Sequence, residues 1–147
     1  MSFVDAVKTC LTTKYATFEG RAARSEYWYF SLFYLLMLLA FAALGFVLGG
    51  GSNFIAGELR SFVPFVPMAI VLLAMMIPTI AVTVRRLHDR DMSGWWYLGF
   101  IALSFIPVVG KLINLATLVL YALKGTAGPN RFGRDPLGVE HNADIFA

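Results

Sequence analysis

WWYLGFIALSFIPVVGKLINLATLVLYAL, residues 95–123, is the stretch on which the architecture turns. It carries one charge, Lys111, and as a single straight helix its 29 residues would be about 43 Å long, against a hydrocarbon core of about 30 Å. Pro107 and Gly110 bracket two valines near its middle. That breaker pair reads either as a kink in one crossing or as a tight hairpin between two shorter helices, 95–106 and 109–123. Deciding between them requires knowing on which side of a membrane the flanking residues lie.

Working outward, two earlier stretches are long enough to cross. Residues 27–48, YWYFSLFYLLMLLAFAALGFVL, contain no charge and make a helix of about 33 Å. The run GGGSN at 49–53 then breaks the chain. Residues 62–84 are a second uncharged stretch with Pro64 and Pro67 in its first turns and Pro78 placed to kink it near its end. After two crossings, residues 1–26 and 85–94 share a side, with Lys8, Lys14, Arg21, Arg24, Arg85, Arg86 and Arg90. A single third crossing would carry Lys124, Arg131 and Arg134 to the opposite side, whereas a hairpin brings them back and leaves only Arg60 and Lys111 across the membrane. Positive charge collects on the cytoplasmic side, so the hairpin is preferred.

The expected fold is therefore an all-α, polytopic membrane helical bundle with both termini cytoplasmic. It forms one membrane domain, 1–147: a cytoplasmic interfacial segment at 1–26, four membrane segments at 27–48, 62–84, 95–106 and 109–123, and a cytoplasmic tail at 124–147. The third segment would span only about 18 Å, which suits a re-entrant or locally thinned arrangement. Trp28, Trp95 and Trp96 open the first and third segments and act as interfacial anchors. In the N-terminal segment, Phe3, Val7, Cys10 or Leu11, and Tyr15 fall near helical spacing behind a capping-box pattern of Ser2 and Asp5, predicting a short interfacial helix.

Composition agrees. The chain of 147 residues is 59% hydrophobic and 14% charged, with a mean hydropathy of +0.70, more apolar surface than a water-soluble domain of this size could bury. One cysteine excludes an internal disulfide framework. Two histidines make a metal site dependent on carboxylates, and no cofactor is expected. The first 20 residues lack the basic start and apolar core of a cleavable signal, so the first span is expected to direct insertion.

Three polar segments interrupt this apolar chain: FEGRAARSEYW at 18–28, RRLHDRDMSGWW at 85–96 and GTAGPNRFGRDPLG at 125–138. Phe18, Gly20, Arg21, Arg24, Glu26 and Trp28 form the first pattern. Arg85, Arg86, Leu87, His88, Asp89, Ser93, Gly94, Trp95 and Trp96 form the second, and Gly125, Gly128, Asn130, Phe132, Gly133, Asp135 and Pro136 the third. In these ordered elements the chain resembles the domain-of-unknown-function 805 family of small bacterial inner-membrane proteins. The resemblance covers residues 1–138 and implies a polytopic inner-membrane protein, without implying an activity.

In the middle motif, Arg85 and Arg86 are expected to end a helix, where cations favour the carbonyl end of its dipole. His88, Asp89, Arg90 and Asp91 would fill a turn, and Ser93 would cap the next helix. If the three motifs meet, Arg21, Arg24, Glu26, Arg85, Arg86, His88, Asp89, Asn130, Arg131 and Asp135 converge on one cytoplasmic polar layer. Such a layer could hold an anionic lipid headgroup or a membrane partner, or simply tie helix ends together by ion pairs. Eight acids on that side, Asp5, Glu19, Glu26, Asp89, Asp91, Asp135, Glu140 and Asp144, nearly balance the ten bases, which favours ion pairing over a grip on polyanions.

A histidine beside a carboxylate suggests acid–base chemistry, but adjacent turn residues rarely face each other and Ser93 has a simpler use as a cap. Arginines all round His88, Asp89 and Asp91 oppose a bound cation. The spans hold no ionisable group except Lys111, unlike most transport pathways. Ala40, Ala42, Ala43 and Gly45 allow close helix contact. No basic tract points to nucleic acid. The leading expectation is a non-enzymatic membrane protein that contacts membrane lipids and binds headgroups, a membrane protein partner or a second copy of itself. A transporter or channel subunit and a headgroup-modifying enzyme are the alternatives.

Overall fold

The computed structural model describes residues 1–48 and 63–138. The break at 49–53, Arg60, Phe62, and the tail residues Glu140, His141 and Asp144 lie outside the described residues. Most of those described are helical, with no strand among them; residues 14–23 and 123–138 are turns and loops, and a lone bridge joins Asn130 and Gly133. The helices are α1 (Phe3–Lys8), which runs into a π-helical turn at Thr9–Thr13, α2 (Arg24–Leu48), α3 (Val66–Asp89), α4 (Trp95–Ser104) and α5 (Pro107–Ala122).

With 25 and 24 residues, α2 and α3 are about 37 and 36 Å long. Both are long and apolar enough to cross a membrane. Leu32, Leu35, Leu36, Leu39, Leu44 and Leu48 of α2 are all exposed, and so are Ile70, Leu73, Met76 and Ile77 of α3. Apolar surface on this scale, left uncovered around a whole helix, is what a lipid solvent permits and water does not. The two shorter apolar helices α4 and α5 are about 15 and 24 Å long.

The break between α4 and α5 lies at residues 105–106, and Pro107 opens α5, where its missing N–H is no loss. The expected boundaries of 95–106 and 109–123 therefore shift. Gly110 belongs to the first turn of α5, donating its N–H to the Ile106 carbonyl at 2.6 Å. A Cβ there would overlap the Ser104 carbonyl, so only glycine lets the hairpin close this tightly.

Helix α2 starts at Arg24, three residues before the expected span, and α3 runs past Arg85 and Arg86 to Asp89. His88 and Asp89 are thus helical and do not fill a turn. The helix stops because Asp91 adopts a left-handed conformation (φ 58°), which lets the Met92 N–H reach the Leu87 carbonyl at 3.0 Å and the Asp91 N–H reach that of His88 at 2.9 Å. This is a Schellman cap with aspartate at the position that usually takes glycine. The next helix is capped loosely: Gly94 is its N-cap residue, and the Ser93 hydroxyl accepts from the Trp95 N–H only at 3.4 Å.

At Pro78 the helix continues, but the proline has no N–H for the carbonyl of Ala74 four residues back. The Tyr15 hydroxyl donates to that carbonyl instead, tying the N-terminal segment to the middle of α3. Ser2 and Asp5 form the expected capping box: the Ser2 hydroxyl accepts from the Asp5 N–H at 3.2 Å, and the Asp5 carboxylate from the Ser2 N–H at 3.1 Å. Hydrogen bonds from Ser2 hold the Asp5 carboxyl below its ordinary pKa. Helix α1 rests on α2 through an edge-on contact of Phe3 with Tyr29, their ring centres 6.1 Å apart. Cys10, Ala22, Phe30, Met75 and Val82 form the small buried core between the N-terminal segment, α2 and α3. Among the small residues of α2, Gly45 is the buried one; a Cβ there would come within 2.6 Å of the Phe65 ring.

Candidate functional site

The last two turns of α3 present Arg85, Arg86 and Asp89 to the start of α2 on one side and to the chain after α5 on the other. All three are buried, as are Arg21 and Glu26. A charge is removed from water only when partners replace its hydration. Asp89 is held from two directions: Arg21 contacts its Oδ1 through Nε at 2.9 Å and Nη2 at 2.8 Å, while Arg86 Nη1 holds Oδ2. Arg21 also donates to the carbonyls of Thr126 and Gly128, both at 2.6 Å, and lies 4.0 Å from Asp135. Arg86 reaches the carbonyls of Tyr121, at 3.0 Å, and Leu123. Those are carbonyls at the end of α5, which a helix leaves without internal partners. Gly125 packs on the Asp89 carboxylate so closely that a Cβ would overlap it.

A second pair lies deeper. Arg85 Nη1 donates to Glu26 Oε1, and the Cys10 sulfur sits 3.9 Å from both Glu26 Oε1 and Arg85 Nη2. Burial first, and the Glu26 charge second, push the Cys10 thiol up to about 11. Arg85 Nε is buried without a partner.

The C-terminal loop completes the layer. The Thr126 N–H donates to the Asp89 carbonyl at 2.8 Å, and Asn130 Nδ2 donates to the His88 carbonyl and to Thr126 Oγ1, both at 2.9 Å. His88 Nδ1 meets the Gly20 carbonyl at 3.1 Å, and its ring stacks on Phe132, the centres 3.9 Å apart. Residues 20–26, 85–91 and 124–138 therefore occupy one end of the molecule, and the α4–α5 hairpin leaves from that end and returns to it.

The expected convergence occurs, with two exceptions. Arg131 stays at the exposed rim, pairing with Asp91 at 3.2 Å, because the tight Asn130–Gly133 turn points it outward. Arg24 forms no ion pair among the described residues; it is half-buried and lines a cavity of about 230 Å³ with Asp89, Lys124, Gly125, Thr126, Ala127, Asp135 and Leu137. The His88 ring bonds the Gly20 carbonyl and the Asp89 carboxylate its two arginines, and among the described residues no hydrogen bond joins the two side chains. Among the described residues no three metal-ligating side chains come together. Trp28, Trp95 and Trp96 are exposed at this same end. Sequence reasoning missed Cys10 and Thr126 as members, since each acts through a contact with residues distant in the chain.

Comparison with known proteins bears on the same residues. A family model described as a protein of unknown function (DUF805) matches residues 15–134. The chain belongs to the DUF805 family. Inner membrane protein YhaI of Escherichia coli strain K12 is 38% identical over 122 residues, covering 83% of this chain and 87% of YhaI. Inner membrane protein YhaH of the same strain is 37% identical over 125 residues, covering 83% and 88%. The uncharacterized protein YiiR is 29% identical over 147 residues, covering 87% and 91%. No solved structure matches. The DUF805 match takes in Arg21, Glu26, the α3 motif and Asn130, and ends one residue before Asp135, so almost all of the buried layer lies within the family region.

Proposed function

We propose that this is a non-enzymatic, multi-pass protein of the bacterial inner membrane. Its four apolar helical segments lie in the bilayer, both termini lie in the cytoplasm, and its polar layer holds an anionic lipid headgroup beside Arg24. The names of YhaI and YhaH and the exposed apolar faces of α2 and α3 support the location. The hydrogen bonds that bring residues 124–138 back to residues 20–26 support an even number of crossings.

The observation that carries the headgroup reading is the difference between the arginines. Arg21 and Arg86 are enclosed by internal acceptors, and Arg85, although its Nε has no acceptor, is fully buried against Glu26 and presents no face to a ligand from outside. Arg24, in the first turn of α2, faces a cavity with Lys124 on its wall, at the depth where lipid phosphates lie. Two carboxylates, Asp89 and Asp135, also line this cleft, but Asp89 is already paired with Arg21 and Arg86 and Asp135 lies beside Arg21, which leaves Arg24 and Lys124 as the charges open to a phosphate.

Protein purified in mild detergent should retain phosphatidylglycerol or cardiolipin, and Arg24→Gln/Lys124→Gln should lose it without losing the fold. Retention by the double variant equal to wild type would refute the site. A reporter active only in the periplasm, fused to the C-terminus, should be silent; activity would refute the topology.

A further inference from the structure

A second cavity, of about 430 Å³, lies on the other flank of the α3 end, lined by Phe18, Ile80, Val84, His88, Ser93, Gly94, Trp95, Tyr97 and Leu98. It contains no carboxylate, lysine or arginine, and apart from His88 and the Ser93 and Tyr97 hydroxyls its walls are aromatic and aliphatic. His88 is its one titratable polar group apart from the Tyr97 phenol. A carbonyl accepts only, so the contact of His88 Nδ1 with the Gly20 carbonyl places the ring proton on Nδ1. Burial first, and the nearby Arg131 charge, hold the imidazole below its ordinary pKa, so the ring is neutral and Nε2 carries the lone pair. It points toward Gly94, where a Cβ would stand 3.5 Å away, and no hydrogen bond reaches it among the described residues. The ring cannot turn freely: Phe132 stacks on it at 3.9 Å and 3°, and the Arg131 guanidinium lies 4.8 Å above Phe132. The result is a clamped, neutral imidazole offering one acceptor to an uncharged, aromatic-walled cavity beside apolar helices.

We infer that this cavity binds the ring of an uncharged, hydroxyl-bearing lipid of the isoprenoid quinol type, whose O–H donates to His88 Nε2. Charged headgroups find no counter-charge there, and a molecule without a donor leaves Nε2 unmatched. Trp95, Tyr97 and Phe18 line it with aromatic surface suited to a flat ring, and the volume falls within the range of small-molecule sites. A phenolic O–H is a stronger donor than an aliphatic alcohol, which favours a quinol over a diacylglycerol. The site is independent of the anion cleft at Arg24.

The test is calorimetric titration of the full chain in neutral-lipid nanodiscs with decylubiquinol under anaerobic conditions, with decylubiquinone and dioleoylglycerol as comparison ligands. Decylubiquinol should bind saturably and about five- to tenfold more tightly than decylubiquinone, which can only accept hydrogen bonds. His88→Asn keeps a donor for the Gly20 carbonyl but removes Nε2, and should abolish that preference. Leu98→Trp, at an exposed position, should fill the cavity and weaken both ligands at least tenfold while leaving thermal stability unchanged. Equal binding of quinone and quinol, tighter binding of dioleoylglycerol, or unaltered binding in both variants would overturn the assignment; so would the absence of saturable binding to a well-folded preparation.

Discussion

Breaking and then replacing the Glu26–Arg85 pair tests whether the polar layer is desolvated as described. Both side chains are enclosed, at 3% and 0% exposure. Glu26→Leu leaves a guanidinium, and Arg85→Met a carboxylate, without a counter-charge in a dry site, each costing about 3–5 kcal/mol. The double variant Glu26→Leu/Arg85→Met removes both charges together and also removes the orphaned Arg85 Nε, so much of that loss should return. At about 2–4 °C per kcal/mol for a chain of this size, each single change lowers the midpoint of thermal unfolding by roughly 6–20 °C, while the pair stays within about 5 °C of wild type. The measurement is loss of monodisperse protein on heating in mild detergent, compared across all four proteins at one heating rate. If either single variant stays within about 2 °C of wild type, or if the double variant loses the sum of the two, the pair is not a buried, mutually dependent unit.

Other outcomes follow from individual contacts. Gly125→Ala forces a methyl group onto the Asp89 carboxylate and should lower the same unfolding midpoint by several degrees, whereas Gly128→Ala meets no neighbour and should act only through its positive φ. Tyr15→Phe leaves the Ala74 carbonyl unsatisfied, at a cost of about 1–3 kcal/mol, and Pro78→Ala, which restores the missing N–H, should make Tyr15→Phe nearly silent. The Cys10 thiol is buried and its pKa is raised from 9.0 to about 11, so at pH 9, where an ordinary thiol is half ionised, only about one Cys10 in a hundred is a thiolate. Iodoacetamide should label native protein far more slowly than detergent-denatured protein. The sign for stability follows: a raised thiol pKa favours the fold fully below pH 9, and that contribution falls as pH climbs from 9 to 11; rapid labelling of native protein at pH 8 would contradict the burial.

The apolar helices were legible because hydrophobic length and charge placement are local properties. The α4–α5 break near Pro107 and the Ser2–Asp5 cap were readable for the same reason, although the helix ends moved by a few residues. Charge asymmetry also foretold that the three polar motifs would meet, which the hydrogen bonds of Thr126 and Asn130 to the end of α3 bear out. What only the tertiary structure decided was the partner of each charge. Arg21 pairs with Asp89, 68 positions away, and Arg85 with Glu26, 59 away, while Arg24, from the same motif as Arg21, faces a cavity. Spacing along the chain carries no information about such pairings, because a guanidinium takes whichever acceptors the packed helix ends leave unsatisfied. Arg85 and Arg86 do stand at the carbonyl end of their helix, with Arg86 in its last turn, but the helix ends three residues later, at Asp89, where the left-handed Asp91 stops it.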